Sequence, residues 1–272
     1  MSTDPFNATI IERIDLNPHL AIVKVKPDSG EASPFIPGQF CTLGLPRADG
    51  DPERTAQGKP PRLIRRAYSI ASSGEVTDHR EFFVVLVEEG KLTPKLFEVA
   101  EGGRVWMSDR CDGHFTLDAV KPGRNLAMLA TGTGIAPYIS ILRTNQLRLA
   151  RGESQPWARS AVLHGCRVES DLGYQEELSA LDAADPSFTY VPTLTRVGEN
   201  ETWHGRRGRL PALMEPELFE SVTGFPLDPE NTEVMLCGNP AMIETVQQML
   251  EPMGFVTATK KQPGNIHFER YW

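Results

Sequence analysis

Two short motifs combine residue types that could bind nucleotides. The first, Arg66-Ala-Tyr-Ser69, puts a cation, an aromatic ring and a hydroxyl within four residues at the end of a predicted strand. Because side chains alternate along a strand, Arg66 and Tyr68 would share a face and could meet one flat, phosphate-bearing ligand. A flavin nucleotide fits that description. The planar guanidinium of Arg66 could pair with a diphosphate, Tyr68 could stack on the isoalloxazine ring, and Ser69 could reach its edge near N5.

The second motif, Thr131-Gly-Thr-Gly-Ile-Ala-Pro137, follows the apolar run 126–130 and leads into a predicted helix. Its glycines let backbone N–H groups approach a phosphate, and a helix N-terminus adds positive potential. Taken alone, each motif is a weak signal, and an Arg-x-Tyr-Ser sequence in a strand is by default an ordinary half-buried strand. In this order they predict two nucleotide sites in one chain.

Three further motifs complete a resemblance. They are Gly90-Lys-Leu-Thr-Pro-Lys-Leu96, Cys237-Gly-Asn-Pro240 and an aromatic carboxyl terminus, Tyr271-Trp272. With them the chain, from about Phe35 to its last residue, resembles the ferredoxin–NADP reductase family, most closely the compact flavodoxin/ferredoxin–NADP reductases of bacteria. The resemblance implies FAD as cofactor, hydride exchange with NADP(H), and single-electron exchange with ferredoxin or flavodoxin. Arg62 and Arg65 would form part of a positive rim that attracts these acidic partners.

The resemblance also assigns roles to residues. It places Arg66 on the FAD phosphate, Tyr68 against the flavin and Ser69 near N5, with Tyr68, Ser69 and Cys237 as the catalytic residues. Cys237 would border the nicotinamide as a small polarizable side chain rather than as a nucleophile. Thr93 is predicted to cap a helix whose N-terminus seats the diphosphate. The remaining FAD residues are Ala67, Val84, Val85, Lys91, Leu92, Thr93 and Thr133, with Tyr271 and Trp272 as a lid over flavin or adenine.

Arginines after predicted strands indicate which nicotinamide nucleotide is used. An adenine ribose that carries only hydroxyls is usually bound by Asp or Glu, whereas a 2′-phosphate needs cations. The chain offers Arg167, Arg196 and Arg209, which favours NADP over NAD; Arg206 and Arg207 could be surface charge or further phosphate contacts. The full predicted NADP set is Gly132, Gly134, Cys166, Arg167, Thr195, Arg196, Arg209, Gly238, Asn239 and Pro240.

The elements that position these residues fall into two groups. Short β-branched or aromatic segments at 8–14, 21–26, 40–45, 66–71, 81–88 and 104–107 predict an antiparallel β-barrel. Between them, the polar stretch 46–62 predicts a mobile loop. After about Val120, apolar strands alternate with helical segments at 126–130, 135–148, 160–164, 174–183, 188–195, 210–213, 233–237 and 241–253. This pattern predicts an α/β domain with a parallel sheet whose ligands bind beyond its strand ends. The resemblance implies that the barrel binds FAD and the α/β domain binds NADP. The predicted domains are 1–118 and 119–272.

Composition limits the function classes. The chain has 272 residues, 40% of them hydrophobic, and its formal charge of −8 argues against general affinity for nucleic acid. Cys41, Cys111, Cys166 and Cys237 lack the short spacing of a zinc or iron–sulfur site, and we expect four buried or idle thiols. No apolar stretch approaches the roughly twenty residues needed to cross a bilayer, and the first residues lack a secretory pattern. These observations predict a cytoplasmic monomer that holds no metal.

Two alternatives remain open on the sequence. The same two-domain module could serve as the reductase component of an oxygenase or another multi-component electron-transfer system. It could also be a flavin-binding electron-transfer subunit without nucleotide turnover. The intact arginines and the Cys237 turn favour an enzyme over the second alternative.

Overall fold

The chain forms two compact units that divide between His114 and Phe115. The computed structural model describes residues 4–47, 50–198 and 202–270. The predicted boundary, between residues 118 and 119, lies a few residues further along. Tyr271 and Trp272, the predicted lid, are outside the described residues. Within those residues, no helix combines the length and apolar character needed to cross a membrane.

The first unit is an antiparallel β-barrel. Its strands are β1 Ala8–Asn17, β2 Leu20–Pro27, β3 Phe40–Pro46, β4 Leu63–Ser69, β5 Arg80–Val85 and β6 Arg104–Met107. They pair in the order β4-β3-β6-β1-β2-β5, and every pair is antiparallel. A bridge between Ile70 and Phe82 joins the two outer strands and closes the sheet. The predicted barrel is therefore confirmed.

Alternate side chains along these strands fill the barrel. Ile10, Val25, Leu43, Phe82 and Val105 are almost wholly buried in one cluster. Burial of such a side chain stabilises a protein by about 1.5–3 kcal/mol relative to exposure. The alternation of the sequence thus translates directly into an inner and an outer face of the barrel.

The polar stretch between β3 and β4 contains more structure than a loop. Helix α1 spans Pro52–Ala56. The buried carboxylate of Asp51 precedes it, accepts the backbone N–H of Arg62 at 3.2 Å and pairs with the Arg62 guanidinium at 3.4 Å. The predicted mobile loop thus contains one short helix that the sequence did not indicate, and charged contacts rather than apolar burial hold it. A second short helix, α2, spans Thr93–Phe97.

The second unit is built on a parallel sheet. Its strands are β7 Asn125–Thr131, β8 Ser160–Cys166, β9 Phe188–Leu194, β10 Arg206–Arg207, β11 Thr232–Gly238 and β12 Ile266–Arg270. They lie in the order β10-β9-β8-β7-β11-β12, and every pair is parallel. Helices α3 Ala136–Ala150, α4 Gln175–Ala184, α5 Pro216–Thr223 and α6 Pro240–Leu250 connect them. The predicted parallel sheet is confirmed, whereas β10, β12 and α5 were not predicted.

The strand order fixes where a ligand can bind. Residues 126–130 of β7 are all fully buried, which shows that both faces of this strand are covered. The chain proceeds from β7 to β8 and β9 on one side, and β11 and β12 lie on its other side. In open α/β sheets, the crevice beyond the carboxyl ends of the strands at such a reversal is the usual ligand site. Here the residues at the reversal follow β7 and β11.

Candidate functional site

The predicted flavin motif ends β4. Arg66 and Ala67 are exposed, Tyr68 is half-buried and Ser69 is buried. Arg66 donates one hydrogen bond, from Nη1 to the carbonyl of Arg65 at 2.8 Å. Within the described part of the chain it forms no ion pair with a carboxylate. A planar cation with unused donors therefore stands on the strand, as a diphosphate contact requires.

Tyr68 carries the most informative atom of the first unit. Its ring packs edge-on against Phe82, with centroids 6.3 Å apart. Its hydroxyl is buried and has no hydrogen-bond partner among the described residues. Burial, partly opposed by the charge of Arg66, raises the pKa of Tyr68 to about 12. A buried polar atom without a partner costs about 1–3 kcal/mol, so this position suits a ligand that brings a polar group beside an aromatic ring.

The segment after β5 corrects one prediction. Thr93 is the first residue of α2 rather than its cap. Its hydroxyl accepts the backbone N–H of Val87 and lies within hydrogen-bonding distance of the Val87 carbonyl, both at 3.0 Å. A Cβ on Gly90 would lie 2.8 Å from the Val87 carbonyl oxygen, so only glycine allows this turn. The Thr93 hydroxyl therefore holds the turn at Val87, and α2 begins without a side-chain cap.

The other predicted FAD residues differ in the solvent exposure of their side chains. The side chains of Val84 and Leu92 belong to the barrel core, so they could meet a ligand only through backbone atoms. Val85 is half-buried and Lys91 is exposed. Thr133, predicted for FAD from its motif, lies half-buried in the glycine loop of the second unit.

That glycine loop is held against the turn after β11. Gly132–Ile135 forms a short 3-10 turn between β7 and α3. The backbone N–H of Asn239 donates to the hydroxyl of Thr131 at 2.7 Å. A Cβ on Gly134 would clash with the carbonyl of Cys237, and one on Gly238 would clash with Thr131. The two loops therefore meet backbone to backbone at the strand reversal, which explains a glycine in each.

The turn after β11 is a well-formed helix start. Asn239 Oδ1 accepts the N–H groups of Ala241 at 2.8 Å and Met242 at 3.4 Å, and Pro240 occupies the first position of α6. Cys237 has no solvent-exposed area. The structure therefore presents the backbone of this turn, and not the Cys237 thiol, at the sheet edge.

Arginines gather at the same edge on the β8 side. The N–H groups of Thr195 and Arg196 donate to the carbonyls of Cys166 at 3.1 Å and Arg167 at 2.8 Å, which holds the ends of β8 and β9 together. Strand β10 then pairs Arg206 and Arg207 with Thr193 and Leu194. The exposed arginines of this edge are Arg167, Arg196, Arg206, Arg207 and Arg209. In the described ranges, none of them forms an ion pair, so together they provide a concentrated positive field for an anion.

Two parts of this edge were not found from the sequence. A two-residue strand has no periodicity, so nothing indicated that β10 would bring Arg206 and Arg207 beside Arg196. Likewise, a single histidine in an apolar strand gave no signal. His164 is fully buried, and its Nε2 lies 3.0 Å from the carbonyl oxygen of Gly132 in the glycine loop.

His164 contacts the glycine loop as a neutral imidazole. Burial lowers its pKa to about 4, against the opposing effect of the Gly132 carbonyl. The neutral ring can donate from Nε2 to Gly132 and accept at Nδ1 from the hydroxyl of Tyr190, 3.3 Å away. Cys166 lies beside it, with Sγ 3.4 Å from Nε2. Burial raises the pKa of the Cys166 thiol to about 12, so Cys166 is a neutral neighbour.

Comparison with known proteins agrees with this geometry. The family model of the oxidoreductase NAD-binding domain matches residues 128–248. The chain is 33% identical over 245 residues to ferredoxin–NADP reductase A of Sorangium cellulosum, covering 87% of this chain and 80% of that protein. It is 35% identical over 241 residues to the flavodoxin/ferredoxin–NADP reductase of Escherichia coli, covering 88% of each.

A solved structure extends the similarity to both units. The crystal structure of a ferredoxin NADP+ reductase from Neisseria gonorrhoeae with bound FAD and NADP superposes with a TM-score of 0.81 at 28% identity, over 98% of this chain and 99% of that one. The resemblance predicted from the five motifs is therefore confirmed. The chain belongs to the ferredoxin–NADP reductase family of oxidoreductases.

Proposed function

We propose that this protein is an FAD-dependent enzyme that exchanges a hydride with NADP(H) and single electrons with ferredoxin or flavodoxin. The observation that carries the proposal is the arginine edge beside the glycine loop. This edge has exposed arginines that form no ion pair with a carboxylate among the described residues. Next to them the backbone of the glycine loop packs closely against the turn after β11. Together these features suit a phosphorylated dinucleotide.

The first unit fits a flavin. Arg66 would donate to the diphosphate, Tyr68 would lie against the ring system with its unpartnered hydroxyl satisfied by the cofactor, and Ser69 would lie near N5. Bound FAD supplies a group that accepts two electrons as a hydride and passes them on singly. The protein needs no acid–base triad for this chemistry; its residues orient the two nucleotides and exclude water.

The second unit would select the cosubstrate. Arg167, Arg196 and Arg209 would hold the 2′-phosphate that distinguishes NADP from NAD. The glycine loop, fixed by His164, would approach the diphosphate at the start of α3, where the helix adds positive potential. Asn239 and Pro240 would set the turn that borders the nicotinamide. Arg206 and Arg207 join this field through β10 and would add to the attraction.

A basic cleft in the first unit supports an acidic protein partner. Its volume is about 620 Å³, and Arg54, Arg62, Arg65, Trp106 and one acidic residue, Asp4, line it. Asp51 pairs with Arg54 and Arg62, so Arg65 is the cation of this cleft that has no carboxylate partner in the described residues. The Arg65 guanidinium lies 3.9 Å from the centroid of the Trp106 ring, which holds the cation in place. Ferredoxins and flavodoxins are acidic, so such a surface would speed their encounter in a salt-dependent way. Monomeric state and cytoplasmic location remain predictions.

The test is reduction under anaerobic conditions. Purified protein should be yellow, and NADPH should bleach it. We expect NADPH to be preferred to NADH by at least about a hundredfold, because two or three charged contacts to the 2′-phosphate are each worth about 1.5–3 kcal/mol before screening. The reduced enzyme should then reduce ferredoxin or flavodoxin faster at low salt than at high salt. A yellow protein that ignores NADPH would contradict the proposal, and transfer only to an oxygenase would favour the reductase-component alternative.

A further inference from the structure

Cys41 and Cys111 occupy facing positions on two antiparallel segments of the barrel. Phe40 and Asp112 exchange both backbone hydrogen bonds, at 2.8 and 3.0 Å. Their neighbours Cys41 and Cys111 therefore form the adjacent pair without backbone hydrogen bonds, with both side chains on one face. Such a pair has Cα atoms about 4.5 Å apart, within the range of roughly 4.4–6.8 Å over which disulfides form.

The two thiols line one cavity and differ in environment. The Cys41 thiol donates to the carbonyl oxygen of Ser108, 3.3 Å away. Cys41 is buried, whereas Cys111 is partly exposed. Both line a small cavity together with Arg80 and Ser108. Cys111 is therefore the more accessible thiol of the pair.

Arg80 is the third member of this cluster. Only 2% of it is exposed, and Nη1 donates to the carbonyls of Val76 at 3.0 Å and His79 at 3.1 Å. Its guanidinium lies over the Phe35 ring, 4.5 Å from the ring centroid, and lines the same cavity as Cys111. Across the residues that the structure describes, it has no carboxylate partner. A buried cation is costly without an anion, so Arg80 favours the thiolate form of Cys111.

The ionisation of the pair follows from these contacts. The neighbouring Cys41 thiol and the charge of Arg80, against the effect of burial, lower the pKa of Cys111 to about 7. The neighbouring Cys111 thiol and burial raise the pKa of Cys41. The carboxylates of Glu31 and Asp109 also line the cavity. Both residues are exposed, so solvent screens their opposing effect.

We propose that Cys111 and Cys41 form a modification site for peroxide, in which Cys111 is the attacking thiolate and Cys41 the resolving thiol. The Cys111 sulfur attacks one peroxide oxygen of H2O2, the O–O bond breaks, and hydroxide leaves and takes up a proton. Cys111 is then a sulfenic acid. The Cys41 thiol loses its proton and attacks the Cys111 sulfur, the S–S bond forms, the S–O bond breaks, and water leaves. In total, two thiols and H2O2 give one disulfide and two water molecules, and two electrons pass from sulfur to peroxide.

The other two cysteines lack these features. Burial raises the pKa of Cys166 to about 12, and its Sγ lies 3.4 Å from the carbonyl oxygen of Asp171. Cys237 is fully buried. The proposal departs from the expectation of four buried or idle thiols for the Cys41–Cys111 pair, and the buried Cys166 provides a matched control.

The experiment is peroxide treatment of the purified holoenzyme, followed by alkylation in denaturant and peptide mapping. We expect a disulfide between the Cys41 and Cys111 peptides, reversed by dithiothreitol, in wild type and in Cys166→Ser. In Cys41→Ser, Cys111 should remain a sulfenic acid that dimedone traps. The inference concerns thiol chemistry and does not depend on the proposed cosubstrate or partner.

A second measurement isolates the role of Arg80. At pH 7 the alkylation of Cys111 by iodoacetamide should be about threefold faster than that of an ordinary thiol, because its larger thiolate fraction outweighs its lower nucleophilicity. Arg80→Met should remove this advantage; if that variant fails to fold, the pH dependence of alkylation in wild type still reports the Cys111 pKa. An absent Cys41–Cys111 disulfide, or equal oxidation of Cys166, would overturn the proposal.

Discussion

Replacement of Tyr68 by Phe should have opposite effects on the protein without and with flavin. The Tyr68 hydroxyl is buried without a partner among the described residues, at a cost of about 1–3 kcal/mol to the apoprotein. Tyr68→Phe keeps the ring and its packing on Phe82 and removes this cost. We therefore expect the apoprotein to become more stable by that amount.

Binding of FAD should weaken in the same variant. If FAD forms a hydrogen bond with the Tyr68 hydroxyl, binding of FAD removes the free-energy cost of the unpaired hydroxyl in wild type. The variant has no hydroxyl and gains nothing from this contact. A difference of about 1.4–2.8 kcal/mol corresponds to a tenfold to hundredfold higher Kd. Urea unfolding of the apoprotein and fluorescence titration with FAD measure the two effects separately.

Tyr138→Phe is the matched control. The Tyr138 hydroxyl is also buried, but it lies 3.0 Å from the carbonyl of Leu129 and 2.8 Å from that of Met235. Its loss should destabilise the protein by about 1–3 kcal/mol and leave FAD affinity unchanged. An apoprotein that is not stabilised by Tyr68→Phe, or an unchanged FAD affinity, would refute the assignment of this hydroxyl to the flavin.

Three other predictions address the remaining contacts. Arg66→Ala should reduce FAD retention during purification by removing a charged hydrogen-bonded contact worth about 2 kcal/mol; full occupancy, measured from the absorbance ratio of flavin to protein, would contradict the role. The double variant Arg167→Ala with Arg196→Ala should raise KM for NADPH about tenfold or more and leave KM for NADH nearly unchanged, whereas Lys121→Ala, just before β7, should change neither. Because burial holds the folded-state pKa of His164 at about 4, below its ordinary 6.5, the unfolded chain binds a proton that the folded chain excludes. The free energy of unfolding should therefore fall by about 2 kcal/mol more in wild type than in His164→Gln between pH 7 and pH 5; parallel urea curves in the two proteins would argue against it.

Local patterns were sufficient for most of the fold. The apolar run 126–130 indicated a buried strand because it is too short for a helix and glycines follow it, and those glycines are required by the close approach of two backbones. The segment 52–56 was missed as a helix because it buries no side chain that would create a periodic signal. Thr93 was misjudged because its hydroxyl is used by Val87, across a turn whose shape the sequence does not display.

The parts of the site that depend on strand register were beyond sequence reasoning. His164 and Gly132 are 32 positions apart, and Cys41 and Cys111 meet only because Phe40 pairs with Asp112. Neither contact follows from spacing or composition. The motif residues themselves were identifiable because a ligand, rather than the fold, dictates their types.

The position of the arginines at separate strand ends has a consequence for how cosubstrate preference could evolve. Arg167, Arg196 and Arg209 each follow a different strand, and all three are exposed, while β8 and β9, which precede the first two, are fixed by apolar side chains in the core. Substitutions at such exposed positions usually change stability by less than about 0.5 kcal/mol. Preference for one dinucleotide over the other can therefore shift one residue at a time, through intermediates that all fold.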